Sequence, residues 1–587
     1  MEDAKLERKI ERKLKKRYPE IGVRLKEGIA YLSGELDSWD EVVEAGHTVG
    51  EMDVEEVVNE ISVKGARERK RAEPHLKLSK EMYDPVLPKK VDVVIIGGGV
   101  IGCCIARELS RFDLDIVLLE RECDVGEGAT KANSAQVHTG IGEHSGTLKK
   151  EFCARAWPLY EQMSDELGVP YEKNGLLVVL TKDSLPKKIP SSISSFLCKT
   201  IISRVVIGRG KKVGDIPRIV KKEELKEMEP NLTDRALIGV LMPNYGVICP
   251  HRFVQALAEN AVQNGVKLFL DTEVTGIKVS GDTKKVLTTR GDVETRFVVN
   301  AAGVYADEIA DMVGAKEFTI HPRKGSIVLF DKEFGDYVTH QISEVKIPEN
   351  PYTKGGAVLK TIDNNINWGP DAVEVEDKED VSVSGEEIDS IINRYGSILP
   401  NLPTKSIITY FAGVRAPTYK EDFYIRESKK VKGFINVAGI QSPGLTCAPI
   451  IAQTTIDILK NCGLETNKKE DFNPVRKRST YFRDLPIEEK KELIARKPCY
   501  GHVVCRCEHV TEGEMLDAIH GSVPALTADA IKRRTRAGMG RCQGGFCGPR
   551  VVEILARELG VPPEEITKDG AGSELFIGRT KDAVVKK

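Results

Sequence analysis

The stretch VDVVIIGGGVIGCCIARELSRFDLDIVLLERE, which begins at Val91, constrains the fold of this 587-residue chain more than any other segment. VDVVII is a short β-branched apolar run, which is typical of a strand buried on both faces. Gly97, Gly99 and Gly102 follow with the spacing G-x-G-x-x-G. The first glycine permits a tight turn, the second lets the backbone approach a pyrophosphate, and the third allows close helix–strand packing. The sequence therefore predicts a β-α-β unit that binds a dinucleotide.

The residues that follow the glycines agree with this prediction. CCIARELS is expected to form a helix whose N-terminal amides and positive dipole end face the phosphates. DIVLLE is expected to form the second strand, which ends at Glu120, where a carboxylate accepts hydrogen bonds from the adenosine ribose hydroxyls. A glutamate at this position serves both FAD and NAD, so these residues alone leave the choice of dinucleotide open.

Composition narrows the class of protein. Hydrophobic residues are 41% and charged residues 30% of the chain, which is typical of a globular protein. The net charge is only −2, so the overall charge does not attract the protein to nucleic acid or to an anionic surface. The N-terminus, MEDAKLERK, has no apolar segment typical of a secretory signal, and we find no apolar run long enough to span a membrane. Four of the thirteen cysteines cluster at ligand-like spacings. We therefore expect a cytoplasmic protein with a metal cofactor.

The chain divides into several units. We predict an N-terminal unit (1–65), a linker rich in proline and charge (66–90), a main body (91–462), a connector (463–497), a cysteine unit (498–560) and a C-terminal tail (561–587). In the first unit, an α-β-β-α-β order with GIAYLSGELDSWDE at its centre resembles the BON domain. That family is linked to phospholipid or partner binding, and a role only in packing is the alternative.

The main body carries further motifs: GATKANSAQVHTGIGEHSGTLK, FVVNAAGVYADEIADM, PRKGSIVLFD, NWGP, FAGVRAP and FINVAGIQSPGLTCAPIIAQ. This set, in this order, resembles the D-amino-acid oxidase superfamily, which implies FAD as the cofactor. It also implies a Rossmann-type α/β domain with an inserted α+β substrate domain, between a small α+β N-terminal domain and a small, mainly helical C-terminal domain. The resemblance adds these residues to the flavin site: Thr130, Ser134, Val274, Ala302, Gly303, Gly439, Gln441, Ser442, Gly444, Leu445 and Thr446.

Oxidation of an alcohol or amine by a flavin also needs a cation that anchors the substrate anion and a base near the leaving proton. Arg415 lies where the superfamily carries its anchoring arginine, and a surface ion pair is the alternative. His138 matches a histidine of relatives that oxidise glycerol 3-phosphate or 2-hydroxyglutarate, where it acts as base or as an orienting donor. Lys324 is a third candidate, with Arg323 as its rival, and His144 is a further candidate.

The C-terminal unit contains two cysteine pairs. Cys505 and Cys507 form C-x-C, and Cys542 and Cys547 form C-x4-C. Four thiolates in two pairs can bind either a [2Fe-2S] cluster or zinc. Glycines in GMGRCQGGFCG let backbone amides approach sulfur, and a capping box begins at Thr511. The unit resembles the BFD-like [2Fe-2S] domain, which favours iron–sulfur over zinc.

A flavin domain followed by such a cluster domain resembles the large subunits of anaerobic glycerol-3-phosphate dehydrogenases. The resemblance implies oxidation of glycerol 3-phosphate to dihydroxyacetone phosphate, with electrons passed to flavin or iron–sulfur partner subunits in a hetero-oligomer. It also implies a cytoplasmic enzyme that associates peripherally with the inner face of the membrane through its partners. The loop ANSAQVHTG is closer to L-2-hydroxyglutarate dehydrogenases, so 2-hydroxy acids remain an alternative, followed by amines. The alternative that is not an enzyme is a subunit that only transfers electrons and catalyses no substrate oxidation.

Overall fold

A computed structural model describes residues 2–65, 86–186, 190–346, 352, 355–576 and 578 of the chain. Most of the predicted linker, residues 66–85, lies outside the described residues. Among the described helices, none combines the length and the apolar character that crossing a bilayer requires.

The N-terminal unit has the predicted α-β-β-α-β order. Its elements are α1 (Glu2–Leu14), β1 (Gly22–Lys26), β2 (Ile29–Leu36), α2 (Trp39–Gly50) and β3 (Glu56–Val63). β1 pairs antiparallel with β2, and β2 pairs parallel with β3. The Ser38 side chain accepts a hydrogen bond from the Glu41 amide and so caps α2 at its N-terminus. Ile10 and Leu14, predicted on the apolar face of the first helix, are buried in the core of this unit.

The N-terminal unit packs closely on the main body. A Cβ atom at Gly46 or Gly50 of α2 would overlap Tyr419, so only glycine lets this helix approach. Asn59 donates a hydrogen bond of 2.9 Å to the Tyr419 hydroxyl. Thr418 donates a bond of 2.9 Å to the buried carboxylate of Glu56. This interface therefore combines close packing with satisfied buried polar groups.

The main body contains most of the strands and helices. Its strands are β4 (Val93–Ile96), β5 (Ile116–Leu119), β6 (Gln136–Val137), β7 (Tyr171–Glu172), β8 (Leu176–Thr181), β9 (Arg218–Lys221), β10 (Ala236–Met242), β11 (Gly246–Ile248), β12 (Lys267–Phe269), β13 (Val274–Ser280), β14 (Thr283–Thr288), β15 (Gly291–Thr295), β16 (Phe297–Asn300), β17 (Arg323–Phe330), β18 (Gln341–Glu344), β19 (Ala357–Lys360), β20 (Ile366–Gly369), β21 (Val373–Glu374), β22 (Ile407–Arg415), β23 (Tyr424–Glu427) and β24 (Phe434–Ala438). Its helices are α3 (Val100–Leu109), α4 (Leu148–Ala156), α5 (Tyr160–Leu167), α6 (Ser191–Leu197), α7 (Ser203–Lys211), α8 (Lys222–Met228), α9 (Pro250–Gln263), α10 (Ala306–Met312), α11 (Gly385–Gly396) and α12 (Gly444–Asn461).

A parallel sheet organises the dinucleotide half of the main body. Its strand order is β12-β5-β4-β16-β24-β23, and only β23 runs antiparallel to its neighbour. Alternate residues of β4 pack on opposite faces: Val93 and Ile95 join the core with α3, α9 and α12, whereas Val94 and Ile96 join the core with α10 and the meander β13–β15. Both faces are covered, which explains why all four residues of β4 are apolar and buried.

A second, mixed sheet forms the other half. Its order is β21-β17-β20-β19-β18-β8-β10-β9, and β22 also pairs with β17. The pairing of β17 with β22 places Arg323 opposite Arg415. The two segments, PRKG and AGVRAP, are thus neighbours in space.

The cysteine unit follows the connector and packs against the main body. The connector contains α13 (Ile487–Arg496), and the elements of the cysteine unit are β25 (Val503–Cys505), β26 (Val510–Thr511), α14 (Glu512–Ile519), α15 (Ala528–Thr535) and α16 (Gly548–Leu559). The predicted capping box is confirmed, because Thr511 and Glu514 each accept a hydrogen bond from the other's amide. The chain beyond 560 is not a plain extension: it forms a 3-10 helix (Pro563–Glu565) and a bridge between Thr567 and Glu574.

Buried ion pairs join the cysteine unit to the main body. Arg534 of α15 binds both oxygens of Asp124, at 2.6 and 2.8 Å. Asp363 accepts hydrogen bonds from Arg252, Arg483 and Arg536. Although burial opposes it, these guanidinium groups hold the pKa of Asp363 well below its usual range. Removing one partner would leave a buried charge unpaired, so these contacts fix how the two units dock.

Candidate functional site

A cleft of about 1660 Å³ lies between the two sheets. It brings together residues that are far apart in the sequence, including both ends of the main body. The cofactor candidates that line it are Gly97, Gly99, Glu120, Thr130, Ser134, Val274, Ala302, Gly303, Gln441, Ser442, Gly444 and Leu445.

The three glycines of the motif fit the roles predicted for them. Gly97 has a φ of +104°, and a Cβ atom there would lie 2.5 Å from the Ala301 carbonyl oxygen. A Cβ atom at Gly99 would meet only the Thr130 hydroxyl, at 3.5 Å, so this position opens into the cleft. A Cβ atom at Gly102 would overlap the Gly97 carbonyl oxygen, so Gly102 acts behind the lining through helix–strand packing. The backbone here forms a cradle that fits a pyrophosphate.

Glu120 lies beside this cradle at the end of β5. Its carboxylate accepts hydrogen bonds from the Gly98 amide at 2.5 Å and from the Glu122 amide at 2.9 Å. Burial raises the pKa of Glu120 to about 7. Thr130 accepts a hydrogen bond of 3.0 Å from the Val100 amide and so holds the loop 129–134 against the start of α3. The arrangement fits the adenosine and pyrophosphate parts of a dinucleotide.

Gly439 and Thr446, the other two residues predicted near the flavin, lie behind the lining of the cleft. Gly439 has a φ of +68°, and a Cβ atom would lie 2.6 Å from the Asp422 carbonyl oxygen. The Thr446 hydroxyl accepts a hydrogen bond of 3.0 Å from the His138 amide and lies 3.4 Å from the Gln136 carbonyl oxygen. Gly439 therefore positions the turn before α12, and Thr446 holds the segment at His138, just after β6, against the start of this helix.

The two principal substrate candidates line the same cleft. Arg415 donates hydrogen bonds to the backbone oxygens of Asp371, at 2.8 Å, and Lys324, at 3.2 Å. The pKa of Arg415 is lowered to about 10, mainly by burial and also by Arg323, although the carboxylates of Asp371, Glu374 and Glu421 oppose this shift. The ring of His138 meets the ring of Tyr245 edge to face, with 5.8 Å between centroids. His144 lines the exposed mouth of the cleft.

Lys324 does not take the predicted place. Its ammonium lies outside the lining of the cleft and pairs with Asp380 at 3.3 Å and Glu387 at 3.1 Å. Its rival Arg323 pairs with Glu374 and Glu421. Arg323 and Lys324 are consecutive on β17, so their side chains point to opposite faces of the sheet, and each meets carboxylates there. The PRKG motif by itself reveals neither the direction of these side chains nor their partners.

Lys149 and Glu421 line the cleft and were missed by the sequence analysis. Lys149 is buried, donates to the backbone oxygen of Glu421, and has its pKa lowered by burial. The Glu421 carboxylate accepts a hydrogen bond of 2.6 Å from Gln441. Lys149 is one of two adjacent lysines in GTLKKEF, and nothing local in the sequence shows which one points inward.

The four predicted cysteines converge. The Sγ atoms of Cys505 and Cys507 are 3.9 Å apart, as are those of Cys507 and Cys542, and Cys547 forms a hydrogen bond with Cys505. The bond from Cys547 lowers the pKa of Cys505 to about 5, and amides of Gly538 and Glu508 also point at this sulfur.

The backbone amides of Phe546 and Gly544 point at Cys542 and lower its pKa. Four sulfurs surrounded by backbone amides suit a cluster whose sulfur atoms accept hydrogen bonds. Cys505 and Cys547 are buried, whereas Cys542 is exposed, so the site has one side that faces solvent.

Comparison with known families agrees with both sites. Residues 92–458 match the family described as FAD dependent oxidoreductase, and residues 503–557 match the BFD-like [2Fe-2S] binding domain. The cofactors are therefore FAD and a [2Fe-2S] cluster, and the predictions of both are confirmed.

Similar proteins share most of this architecture. The chain is 43% identical over 495 residues to a glycerol 3-phosphate dehydrogenase of Caloramator mitchellensis, covering 84% of this chain and 99% of the relative. It is 25% identical to the anaerobic glycerol-3-phosphate dehydrogenase subunit A1 of Haloferax volcanii, covering 84% and 87%.

Among solved structures, an L-alpha-glycerophosphate oxidase from Mycoplasma pneumoniae with FAD bound matches with a TM-score of 0.60 and 26% identity, covering 66% and 99%. The matched residues contain the glycine cradle, Glu120, His138 and Arg415 within a single domain match. This chain belongs to the FAD dependent oxidoreductase family.

Proposed function

We propose that the protein oxidises glycerol 3-phosphate to dihydroxyacetone phosphate and passes the electrons through the [2Fe-2S] cluster to a partner protein. The dehydrogenase and oxidase named above act on this substrate, and one of them is 43% identical to this chain. The observation that carries the proposal is that Arg415 and His138 line the same cleft as the dinucleotide cradle.

The proposed roles follow from the chemistry of the reaction. Oxidation of the secondary alcohol removes a hydride from carbon and a proton from the hydroxyl oxygen. Arg415 holds the phosphate dianion, for which its planar, charged fork is suited. His138 accepts the hydroxyl proton. Bound FAD supplies the acceptor for the hydride, and the cluster supplies a carrier of single electrons. Lys149 adds a second nitrogen donor at the wall of the cleft.

An anaerobic substrate panel tests this proposal. The purified holoenzyme is mixed with glycerol 3-phosphate, L-2-hydroxyglutarate, lactate and proline, and bleaching of the flavin absorbance is followed. We expect rapid bleaching only with glycerol 3-phosphate. Bleaching by 2-hydroxyglutarate alone would favour the alternative suggested by the ANSAQVHTG loop, and no bleaching at all would favour an electron-transfer subunit.

We place the docking surface for the electron-accepting subunit beside Cys542. Phe546 is 62% exposed there, and the Arg506 guanidinium lies 5.0 Å from the centre of its ring. An exposed aromatic residue with an arginine is a typical interface anchor. Co-purification of the native enzyme with flavin or iron–sulfur subunits, lost in Phe546→Asp, would support a hetero-oligomer. A chain that remains alone when purified from its source argues against it.

Peripheral association with a membrane is the last element of the proposal. α6, a π-helical turn (Cys198–Ile202) and α7 form a continuous helix. Apolar side chains at least half exposed follow its turns: Ile193, Phe196, Ile201 and Val205. The sequence around them has no acidic residue between Asp183 and Asp215 but has seven basic residues there: Lys187, Lys188, Lys199, Arg204, Arg209, Lys211 and Lys212. Basic amphipathic helices of this kind bind anionic bilayer surfaces.

Sedimentation with vesicles separates direct from partner-mediated binding. We expect binding to phosphatidylcholine vesicles that contain a third of phosphatidylglycerol, weakened by salt and by Phe196→Ser. Ile487→Ser, which alters an equally exposed side chain on α13, should bind normally. Binding only when partner subunits are present would assign the membrane contact to them. The N-terminal unit, which we assign to the BON type from its α-β-β-α-β order, is tested in the same assay by deletion.

A further inference from the structure

A cluster of two histidines and two glutamates lies where the N-terminal unit meets the main body. α2 contributes His47, the segment before β17 contributes His321, and β21 contributes Glu374. One possible ligand atom from each of these three residues lies within 4.8 Å of the other two. Glu421, which lines the cleft, lies 3.8 Å from His47 and 3.7 Å from His321.

His321 has an oxygen acceptor at each of its ring nitrogens. Nδ1 is 3.0 Å from the Glu374 carboxylate, and Nε2 is 3.3 Å from the Thr418 carbonyl oxygen. A neutral imidazole carries one proton, so one lone pair would face an oxygen. Because the ring is completely buried, water does not relieve this contact. A cation shared by His321 and Glu374, either a proton or a metal ion, removes the conflict.

His47 provides an independent sign of a missing ligand. Its side chain is 9% exposed, and Nε2 is buried without a hydrogen-bond partner. The ring is held between Tyr352, stacked at 4.2 Å, and Tyr419, edge to face at 5.5 Å. A buried polar atom without a partner is costly, and it usually marks a ligand or water. A second proton on His321 would leave His47 unsatisfied, whereas one metal ion satisfies both rings.

We propose that His47, His321 and Glu374 bind a divalent first-row transition metal ion, of which Zn²⁺ is the representative. Two imidazoles and a carboxylate suit such an ion, and Glu421 or water completes its coordination. His321 binds through Nδ1 and donates from Nε2 to the Thr418 oxygen, the usual arrangement that orients a ligating histidine.

Arg323 does not compete for the ligating oxygen of Glu374. It donates to Oε1 of Glu374, at 2.5 Å, whereas His321 faces Oε2. Arg323 also pairs with Glu421 at 2.6 Å. Glu374 and Glu421 present carboxylate oxygens to the two imidazoles, so the site offers oxygen and nitrogen donors together to a cation. The ion joins the N-terminal unit to the main body beside the substrate cleft, and this role is independent of the proposed substrate.

The test measures bound metal in the full-length holoenzyme after removal of any purification tag. We expect about one divalent ion per chain in addition to cluster iron. His47→Gln and Glu374→Gln should lose it, while His520→Gln, which alters an exposed His–Glu pair in the cysteine unit, should retain it. After dialysis against EDTA, calorimetry should show one Zn²⁺ binding to the wild type and none to His47→Gln. Zn²⁺ should also raise the melting temperature of the wild type only.

Three outcomes would overturn the proposal. One is a wild-type protein that binds no ion at stoichiometric level when offered Zn²⁺, Mn²⁺ and Co²⁺ in turn. Another is a His47→Gln protein that binds the ion unchanged. The third is an ion that anomalous X-ray scattering places away from these residues. Retained flavin and cluster absorbance shows that each variant is folded. Because two ligands are replaced separately, the test remains valid if one of the two variants misfolds.

Discussion

At the scale of single residues, the guanidinium of Arg415 is the candidate anion-binding group at the wall of the cleft. Arg415 has backbone oxygens as partners but no carboxylate within hydrogen-bond distance among the described residues. Gly325 lies beside it without a side chain, and a Cβ atom there would overlap the guanidinium. The pairing of β17 with β22 thus leaves room for the guanidinium of Arg415 at the cleft wall.

Replacement of this arginine should impair substrate binding more than flavin binding. Arg415→Ala is expected to raise KM for glycerol 3-phosphate by about a hundredfold, since charged hydrogen bonds contribute about 1.5–3 kcal/mol. Flavin content should remain normal. Arg550→Ala, which removes an exposed arginine paired with Glu553, serves as the control. An unchanged KM in Arg415→Ala would remove this residue from the substrate site.

The carboxylate of Glu120 predicts a pH dependence for flavin binding. Burial raises its pKa to about 7, and ribose hydroxyls that donate to it favour the ionised form. Binding of FAD therefore releases a proton below pH 7, so the association constant should rise about tenfold per pH unit up to 7 and then level off. Titration of the apoprotein with FAD between pH 5.5 and 8.5 checks this. Glu120→Gln should bind weakly with a flat profile, and a wild-type profile that falls with pH would contradict the assignment.

At the scale of elements, the dinucleotide unit depends on how closely α3 approaches the first turn of the motif. Gly102 is the point of contact, and the opposing atom is a backbone oxygen that cannot rotate away. Sequence analysis predicted this strand, helix and second strand because each is encoded by local spacing. It also predicted the order of the N-terminal unit and the capping box of α14, for the same reason.

Gly102→Ala should therefore destabilise the unit and lower its flavin content. Overpacking of this kind costs about 1–3 kcal/mol, and the displaced backbone is the one that faces the pyrophosphate. Gly385→Ala in α11 is a matched control, because a Cβ atom there has no neighbour within 4 Å. The ratio of flavin absorbance to protein and the melting temperature report the effect. Full flavin content in Gly102→Ala would show that the helix can shift without harm.

At the scale of the whole molecule, the two cofactor sites are held together by buried ion pairs. Asp363 is shared by Arg252 of α9, Arg483 of the connector and Arg536 after α15. The segment beyond 560 also reaches the cleft, where Asp569, Gly570 and Ala571 join its lining. We therefore expect electron transfer between the two sites to depend on this docking.

Asp363→Asn should loosen the docking while leaving each unit folded. The three guanidinium groups would lose their common carboxylate, which is strongly destabilising when buried. We expect faster proteolysis within residues 463–497 and slower reduction of the cluster after the flavin. Asp529→Asn, which alters an exposed pair with Lys568, is the control. Equal cluster reduction rates in wild type and Asp363→Asn would exclude this role.

The ion pairs of Asp363 also make the docking of the two units depend on pH, and the direction of this dependence follows from the pKa of Asp363. The folded-state pKa of Asp363 is depressed, so its contribution is present above the ordinary pKa of about 4 and is lost as pH falls further. Proteolysis of the wild type should therefore be slow from pH 7 to about 4 and accelerate below. The Asp363→Asn protein should be cleaved rapidly across the range.

The sequence by itself determined the features that depend on short spacings. The glycine cradle, Glu120 and the four cysteines were found because their geometry arises within a few residues of chain. Arg415 and His138 were found through resemblance, and the fold placed them in one cleft. Only the tertiary structure decided that Lys149 points inward, that Lys324 is paired outside the cleft, and that His47 meets His321 and Glu374. Burial and pairing of a side chain depend on which distant segments surround it, and local sequence does not encode those neighbours.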